Sequence, residues 1–375
     1  MRKGNLLAVV LNVIITFAFC TSCSQKSVKT ERVQVSPKVL TDSLFIKNAA
    51  SFICIGDYLV LQDPRQGSNF IKIYDTKGHL VSEVGQIGNG PEEFILPECI
   101  PFGKNKFLTW NRYGTFQTAV SSPDNQFRPE FKNFHVFNGK NQSIQLCENG
   151  NFIAYDPTKD QVITLYSPDG KEIASAGKLP FPANIADREH FYSGKIVYNP
   201  ENQTLLLYLE VLPYAATFKV TSSNISLLNE RTFGNPEYTI NGDQMQVKEG
   251  GKDCLVGCCL TEDFIISIMN DPDYTGNDNS QSSPKRHTVG VFDYDFNLVK
   301  IVNLGMPRYN LAASGEDNTF YAIVQNPENS IVERGAGVKF IHIADLHLGA
   351  EPDAGRAYSQ NRSQELWETL QSVLE

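Results

Sequence analysis

The 375-residue chain lacks the patterns of several large protein classes. No long stretch of apolar residues follows the 3.6-residue period of an amphipathic helix, which argues against a helical protein. The chain has no G-x-S-x-G elbow, no P-loop and no Rossmann fingerprint, so the common hydrolase and nucleotide sites are not indicated. Positive charge is scarce: 33 Lys and Arg against 42 Asp and Glu give a net charge of −9. Without a basic stripe to neutralise phosphates, we do not expect nucleic acid as a partner.

The body of the chain instead has the composition of β-structure. Aromatic residues make up 11%, and 27 glycines and 19 prolines punctuate short alternating runs such as FIKIYD (70–75). A loose repeat places an aromatic residue and an Asp or Ser turn between two apolar strands. Its copies are IKIYDTKGHLVSEVG (71–85), ITLYSPDGKEIASAG (163–177) and VGVFDYDFNLVKIVNLG (289–305). Each copy is typical of a β-hairpin.

Further strands at 57–63, 151–157 and 318–325 extend these hairpins to about four strands per 40–50 residues, the spacing of propeller blades. The predicted fold is therefore all-β, a six-bladed β-propeller over residues 52–335. The predicted blades cover about 52–85, 100–130, 144–177, 194–234, 254–304 and 309–335. Residues 23–51 form a linker, in which Arg32 to Lys47 is free to pair with the last blade and close the ring. A pair of β-sandwiches is the alternative architecture.

One loop links this pattern to a known family. The segment GNGPEEF (88–94) follows the first hairpin; its glycines permit a tight turn, Pro91 stiffens it, and Phe94 can pack into the next blade. It resembles the G-x-GP-x-EF loop of six-bladed, TolB-like propeller lipoproteins, and the resemblance spans roughly residues 30–335. A propeller offers a central channel and a loop face, so we expect a non-catalytic module that binds a peptide, glycan or protein partner, with no cofactor and no catalytic residues.

The N-terminus has the features of an export signal. Arg2 and Lys3 precede an apolar stretch from Leu6 to Phe19, which is long enough for a signal-peptide core and short for a membrane span. Small residues then lead to Cys23, which resembles the lipidated cysteine of a bacterial lipobox. The predicted signal peptide is 1–22, and the protein is expected in the cell envelope, lipid-anchored to the outer membrane or periplasmic. Cys20 follows the bulky Phe19 and is the weaker candidate; an ordinary cleaved signal or an uncleaved anchor is the alternative.

The C-terminal segment, residues 338–375, differs from the rest of the chain. It reads VKFIHIADLHLG and then a stretch with helical spacing, so a strand-plus-helix appendage is predicted. The strand ends in Asp345-x-His347, whose two side chains share a face and are able to hold one metal ion. The segment resembles the start of a calcineurin-like metallophosphoesterase, most closely the nuclease subunit of the SbcCD-type DNA repair exonuclease. That resemblance implies a manganese-dependent phosphoesterase, but the later ligand motifs do not follow, and two ligands do not make a tight dinuclear site.

Other candidate sites are weaker. Asp271, Asp273 and Asp278 lie in a loop whose carboxylates suit calcium, but their spacing matches no known ligand pattern and a solvated turn is the simpler interpretation. Several aromatic residues are candidates either to line a binding face or to pack between blades. These are Trp110, Tyr113, Tyr155, Tyr208 and Tyr214.

The cysteines allow more than one interpretation. Cys254, Cys258 and Cys259 have poor spacing for zinc because no second pair accompanies them. In an oxidising compartment some of the cysteines other than Cys20 and Cys23 are able to form disulfides. Buried free thiols are equally consistent with Cys54, Cys99 and Cys147, which lie in or beside apolar runs.

Overall fold

A computed structural model describes residues 30–44, 46, 49–63, 69–88, 90, 93–94, 97–111, 117–122, 124, 126–132, 143–234, 236–247, 255–269, 288–304, 308–325 and 329–336. The first strands are β1 (Glu31–Gln34), β2 (Lys38–Leu44), β3 (Ser51–Ile55), β4 (Tyr58–Gln62), β5 (Ile71–Asp75), β6 (Leu80–Val84), β7 (Gln86–Ile87), β8 (Glu93–Phe94), β9 (Pro97–Pro101), β10 (Lys106–Asn111), β11 (Gln117–Ser121), β12 (Arg128–Lys132), β13 (Ser143–Leu146), β14 (Phe152–Tyr155), β15 (Ile163–Tyr166) and β16 (Glu172–Ala176). They are followed by helix α1 (Arg188–Phe191) and the strands β17 (Gly194–Asn199), β18 (Thr204–Leu209), β19 (Tyr214–Val220), β20 (Ile225–Thr232), β21 (Tyr238–Asn241), β22 (Gln244–Val247), β23 (Val256–Leu260), β24 (Phe264–Met269), β25 (Thr288–Asp293), β26 (Leu298–Asn303), β27 (Arg308–Ala312), β28 (Thr319–Gln325) and β29 (Asn329–Gly335).

The larger sheets are six antiparallel blades, each ordered along the chain. Blade 1 consists of β3–β6, blade 2 of β9–β12, blade 3 of β13–β16, blade 4 of β17–β20, blade 5 of β23–β26, and blade 6 of β27–β29 with β2. The first strands contact one another in the cyclic order β3, β9, β13, β17, β23, β27 and back to β3. They therefore surround a central axis, which confirms the predicted six-bladed propeller and excludes the β-sandwich alternative.

The N-terminal strands complete two blades. β2 pairs with β29 as the outermost strand of blade 6, with Lys38 opposite Glu333 and their side chains 3.2 Å apart. This pairing joins residues from opposite ends of the propeller and closes the ring. β1 adds a fifth, parallel strand to the outer edge of blade 5, where Glu31 lies opposite Lys300.

The sequence repeat corresponds to the turn between the third and fourth strands of a blade. In blade 1, Asp75 Oδ1 accepts hydrogen bonds from the main-chain N–H groups of Lys77 and His79, at 2.9 and 2.8 Å. In blade 5, Asp293 Oδ1 accepts from the N–H groups two and four residues later, at 3.0 and 2.8 Å. Ser167 Oγ has the same role in blade 3. A short polar side chain at this position satisfies the turn locally, so the motif recurs.

One of these turns has an unusual residue at its third position after the Asp or Ser. Gly78 and Gly170 occupy that position in blades 1 and 3, with φ of 93° and 81°. In blade 5 the position is held by Phe296, with φ of 63°. A bulky residue in this region is strained. The Phe296 ring is buried and meets Phe233 edge-on, with ring centroids 6.0 Å apart, and this packing offsets the backbone cost.

The core lies between neighbouring blades. Tyr155, Tyr208 and Tyr214 are buried there and pack the blades, and Tyr208 also borders the space enclosed by the first strands. The Tyr155 hydroxyl donates to the main-chain oxygen of Tyr192, which ties blade 3 to the connection before blade 4. The side chain of Trp110, and Tyr113, fall outside the described residues. No helix in the described ranges has the length and apolar character needed to cross a membrane.

Candidate functional site: the central channel

The two ends of the channel are built from different connections. Short turns join the first and second strands of each blade, and the third and fourth strands of blades 1–5; these turns lie at one end of the sheets, called here the turn face. Connections between second and third strands, and between blades, lie at the other end, called the loop face. The loop face includes α1 and the hairpin β21–β22, which contact each other through the hydrogen bond from Ala186 N–H to Asp243 O, at 2.9 Å.

The six first strands line a central cavity of about 210 Å³. Each of these strands ends the order of its sheet among the described strands, so one edge of its main chain is turned toward the channel. An edge strand presents main-chain N–H and C=O groups that are not paired within its own sheet. The channel wall is therefore polar along the main chain.

Side chains bridge part of this wall by reaching from one first strand to the next. Gln145 Nε2 donates to Ile196 O at 3.1 Å, and Ser143 Oγ accepts from the Ile196 N–H at 3.3 Å. Between blades 6 and 1, Asn310 Nδ2 donates to Ala49 O at 2.9 Å. These bonds fix the spacing of the blades around the axis.

The turn-face mouth is narrowed by two close approaches that only glycine allows. Gly56 has φ of 51°, and a Cβ placed on it would lie 2.3 Å from the main-chain oxygen of Lys104 in blade 2. Gly315 has φ of 82°, and its Cβ would lie 2.6 Å from Asn199 Oδ1. Asn199 is itself fixed, because its Nδ2 donates to Thr261 O and Gly315 O at 3.1 and 3.2 Å. The turns of blades 1, 2, 4, 5 and 6 thus meet near the axis.

Lys104 also spans this mouth with its side chain. Its Nζ lies 2.6 Å from Glu316 Oε1 of blade 6 and 3.8 Å from Glu201 Oε1 of blade 4, and Glu148 of blade 3 adds negative charge. The hydrogen bond to Glu316, together with these charges, raises the pKa of Lys104 above its ordinary value of 10.5. The ammonium therefore stays charged at neutral pH and connects blades 2, 4 and 6 across the channel. We call this contact the Lys104 bridge.

The loop-face mouth has polar groups of both signs but no equivalent bridge among the described residues. Lys195 and Glu98 lie at the starts of β17 and β9 and line the cavity. Lys195 Nζ is 3.9 Å from Glu210 Oε1 at the end of the adjacent strand, and Ser193 Oγ donates to Glu210 Oε2 at 2.9 Å. The Lys195 and Glu210 side chains remain 44% and 45% exposed, so both are available to a ligand.

The cysteines of the described residues are free, buried thiols. Cys54, Cys99, Cys258 and Cys259 lie on first strands and line the cavity, and Cys147 directly follows β13. Burial raises the pKa of Cys54 to about 12, with a further contribution from the negative charges of Asp317, Glu316 and Asp57. Burial also raises the pKa of Cys258 to about 12. Thiols of this kind are inert at neutral pH, which speaks against a cysteine nucleophile.

No cluster of His, Cys, Asp or Glu suited to a metal ion occurs in the described ranges. Cys258 and Cys259 each pack in an apolar cluster between neighbouring blades and also line the cavity. The metal ligands predicted from sequence, Asp345 and His347, lie outside the described residues. The lipidation candidate Cys23, the calcium candidates Asp271, Asp273 and Asp278, Cys254 and the strand-plus-helix appendage also lie outside them.

Comparison with known protein families finds one profile that matches most of the chain. The profile of the family described as TolB-like 6-blade propeller-like matches residues 26–310. The chain belongs to this TolB-like family. The match extends from ahead of β1 into β27, so it includes all the blades except most of blade 6. It does not extend to residues 338–375, and the phosphoesterase resemblance of that segment has no support from it. No curated protein matches the TolB-like chain.

Solved structures with a similar fold are distant in sequence. A presumed exported protein of Bacteroides fragilis NCTC 9343 is 12% identical, with a TM-score of 0.49 over 82% of this chain and 99% of that one. The β-propeller domain of Cps50 (Swd1) from Myceliophteria thermophila is 11% identical, with a TM-score of 0.41 over 76% and 83%. Regucalcin, a calcium-binding protein of Agrobacterium tumefaciens str. C58, is 7% identical, with a TM-score of 0.44 over 81% and 95%. These likenesses do not indicate what the TolB-like chain binds.

Sequence reasoning did not find the residues that shape the two mouths. Lys104, Glu201 and Glu316 lie in turns of three different blades and belong to no motif. The available signal was positional, because each follows the first strand of its blade by a few residues. An alignment of the blades with one another places them at the same end of the channel, but it does not say which side chains meet.

Proposed function

We propose that this TolB-like propeller is an exported, lipid-anchored protein of the cell envelope that binds a peptide, glycan or protein partner without catalysis. The observation that carries the proposal is the difference between the two mouths of the channel. The Lys104 bridge and the close approaches at Gly56 and Gly315 obstruct the turn face. The loop-face mouth is the accessible entrance, and a segment of the partner enters there.

The chemistry of the entrance suits a polar ligand. Main-chain N–H and C=O groups of the first strands, together with Lys195 and Glu210, offer donors and acceptors in a fixed arrangement. These groups complement the main chain of a peptide or the hydroxyl groups of a glycan. A cavity of about 210 Å³ holds only a small part of such a partner, so the surrounding loops supply the rest of the interface.

A photo-crosslinking experiment tests the binding proposal. A benzophenone amino acid replaces Lys195 at the loop-face mouth, and in a matched variant it replaces Lys171, whose side chain is 83% exposed on the turn face. Irradiation of cells should give a discrete crosslinked species from position 195 and none from position 171. Crosslinks that form only from position 171, or from neither position, contradict the proposal.

The anchor has its own test. Export and lipidation at Cys23 are supported by the sequence of residues 1–23. Mass spectrometry of the envelope fraction should find an N-terminal peptide that begins at Cys23 and carries acyl chains. Cys23→Ser should release the protein from membranes, whereas Cys20→Ser should not. Retention of the Cys23→Ser protein in washed membranes argues for an uncleaved anchor.

The alternative function is a manganese-dependent phosphoesterase or repair exonuclease built on Asp345 and His347. We propose that this segment forms no working centre, because the two side chains supply too few ligands for a two-metal site. Purified full-length chain should show no manganese-dependent hydrolysis of a phosphodiester. Hydrolysis that disappears in Asp345→Ala restores the alternative.

A further inference from the structure

The chain enters the propeller from the turn face. β1 runs parallel to β26, which begins directly after the turn-face turn 293–297. At the start of β1, Thr30 Oγ1 donates to Leu298 O at 3.2 Å, and at its end the Val35 N–H donates to Asn303 O at 3.1 Å. Because β1 and β26 run in the same direction, β1 begins beside the turn face of blade 5.

The entry point is held in place. Four consecutive residues of β1 are in register with β26, from Glu31 opposite Lys300 to Gln34 opposite Asn303. Lys300 Nζ also lies 3.6 Å from Glu31 Oε2, and the Lys300 side chain is only 13% exposed. A chain attached before Glu31 therefore pulls on the turn-face rim and not on a loose tail.

The tether between the proposed lipid and this entry point is short. From Cys23 to Thr30 there are seven residue steps, which span at most about 25 Å when fully extended. Passing along the outer edge of blade 5 to the loop face would require the length of β26, which has 6 residues and measures about 20 Å. Almost no tether would then remain to reach a bilayer. A lipid at Cys23 therefore does not reach a bilayer that lies against the loop face.

The charge of the turn face affects how far the propeller lies from the bilayer. Carboxylates occupy the turn after the first strand in every blade except blade 2, where Lys104 stands: Asp57, Glu148, Glu201, Glu262 and Glu316. Such a surface is repelled by anionic headgroups within a Debye length of about 8 Å. The tether is long enough to hold the propeller beyond that distance, and its sequence carries Lys26 and Lys29, which suit a position near the headgroups.

From these observations we infer that the anchored protein holds its turn face toward the lipid bilayer and presents the loop-face mouth to the aqueous side. This inference rests on the proposed lipidation of Cys23. It identifies the lipid surface as the neighbour of the turn face, and it requires that partners come from the compartment away from the membrane. The bridged mouth and the membrane are then on the same side, and the loop-face mouth is open to the aqueous side.

Fluorescence energy transfer to headgroup-labelled lipid tests the orientation. The mature chain carries a synthetic diacyl lipid attached enzymatically at position 23, so that the test does not depend on lipidation in the cell. A donor dye is placed at Lys171→Cys on the turn face or at Gln246→Cys on the exposed hairpin β22, both in a Cys254→Ser background. Position 246 lies in the connection between blades 4 and 5, so around the ring of blades it is nearer to the tether than position 171 is. Energy transfer from position 246 to the labelled lipid should nevertheless be several-fold weaker.

Equal transfer from the two positions, or stronger transfer from position 246, overturns the inference. A flexible Gly-Ser segment of about twenty residues inserted after position 23 should abolish the difference, because the tether then no longer selects one face. A difference that survives this insertion shows that the tether is not its cause and overturns the inference as well. Absence of lipid at Cys23 in cells refutes the anchor separately, while the synthetic lipid still reports the direction of the tether.

Discussion

The two mouths of the channel are made by the same six strands and yet differ in access. At the turn face, short turns bring main chain against main chain, and Lys104 joins two glutamates from alternate blades. At the loop face, the side chains of Lys195 and Glu210 stay half exposed. The contacts between blades make this difference, because groups from five blades meet at the turn face, whereas Lys195 and Glu210 both belong to blade 4.

The largest expected effect comes from filling the tightest contact of the turn face. Gly56→Ala places a Cβ 2.3 Å from the Lys104 main-chain oxygen in a left-handed backbone conformation. We expect the free energy of unfolding to fall by more than about 3 kcal/mol, measured by urea denaturation. Gly103→Ala is the matched control, because its φ is 71° but nothing lies within 4 Å of the new Cβ. It should cost about 1–2 kcal/mol. Equal losses contradict a close approach at Gly56.

A second comparison removes one side-chain bridge near the turn face and one within the channel wall. Asn199 is 1% exposed, donates to two main-chain oxygens near the turn face and accepts from the Glu201 N–H. Asn199→Ala removes these buried bonds and takes the Asn199 donor from Gly315 O, while Thr261 O keeps its bond from the Tyr294 hydroxyl at 2.8 Å. We expect a loss of about 2–3 kcal/mol. Gln145→Ala removes one partly buried bond, to Ile196 O, and should cost about 1 kcal/mol. The same denaturation measurement checks both, and a larger loss for Gln145→Ala refutes the tighter turn face.

Removal of the Lys104 bridge should change the access of a thiol reagent to the channel more than it changes the stability of the protein. The bridge is solvent-exposed, so Lys104→Met should alter the free energy of unfolding by less than about 1 kcal/mol. Alkylation of Cys54, near the turn-face end of β3, should become a few-fold faster, while that of Cys258 stays unchanged. Lys77→Met is the control on the same face, away from the mouth. Unchanged Cys54 alkylation in Lys104→Met means that the bridge does not close this mouth.

The smallest expected effect is a difference in alkylation rate between the thiols of Cys54 and Cys258. Burial raises the pKa of both Cys54 and Cys258 to about 12, so both thiols are almost entirely protonated at neutral pH. Both rates should rise about tenfold per pH unit from pH 7 to 10, because the reactive thiolate forms only as the pH approaches the raised pKa. At every pH Cys258, which faces Lys195 at the loop mouth, should react faster than Cys54. Mass spectrometry of alkylated peptides measures the ratio, and a faster Cys54 reverses the comparison.

Local features were predictable from the sequence because their physics is local. The aromatic residue followed by Asp75 or Asp293 predicts a hairpin, and the hydrogen bonds within five residues account for it. The spacing of such hairpins predicted six blades. The apolar runs around Cys54, Cys99 and Cys147 were consistent with buried free thiols, and the structure contains them in that form.

Contacts between blades were not predictable in the same way. Phe296 occupies a position that favours glycine, and only its packing on Phe233 explains why an aromatic residue is stable there. Lys104 and Glu316 are 212 residues apart in sequence. No motif links them, because their contact follows from the closure of the ring and not from neighbouring residues.

The sequence by itself determined the strands, the turns and the number of blades, since alternation, turn chemistry and spacing act over a few residues. Tertiary structure decided which mouth of the channel is obstructed, where the Lys104 bridge forms and from which face the N-terminal strand enters. These features depend on groups from separate blades meeting at one axis, and that meeting exists only after β2 has paired with β29 and the ring has closed.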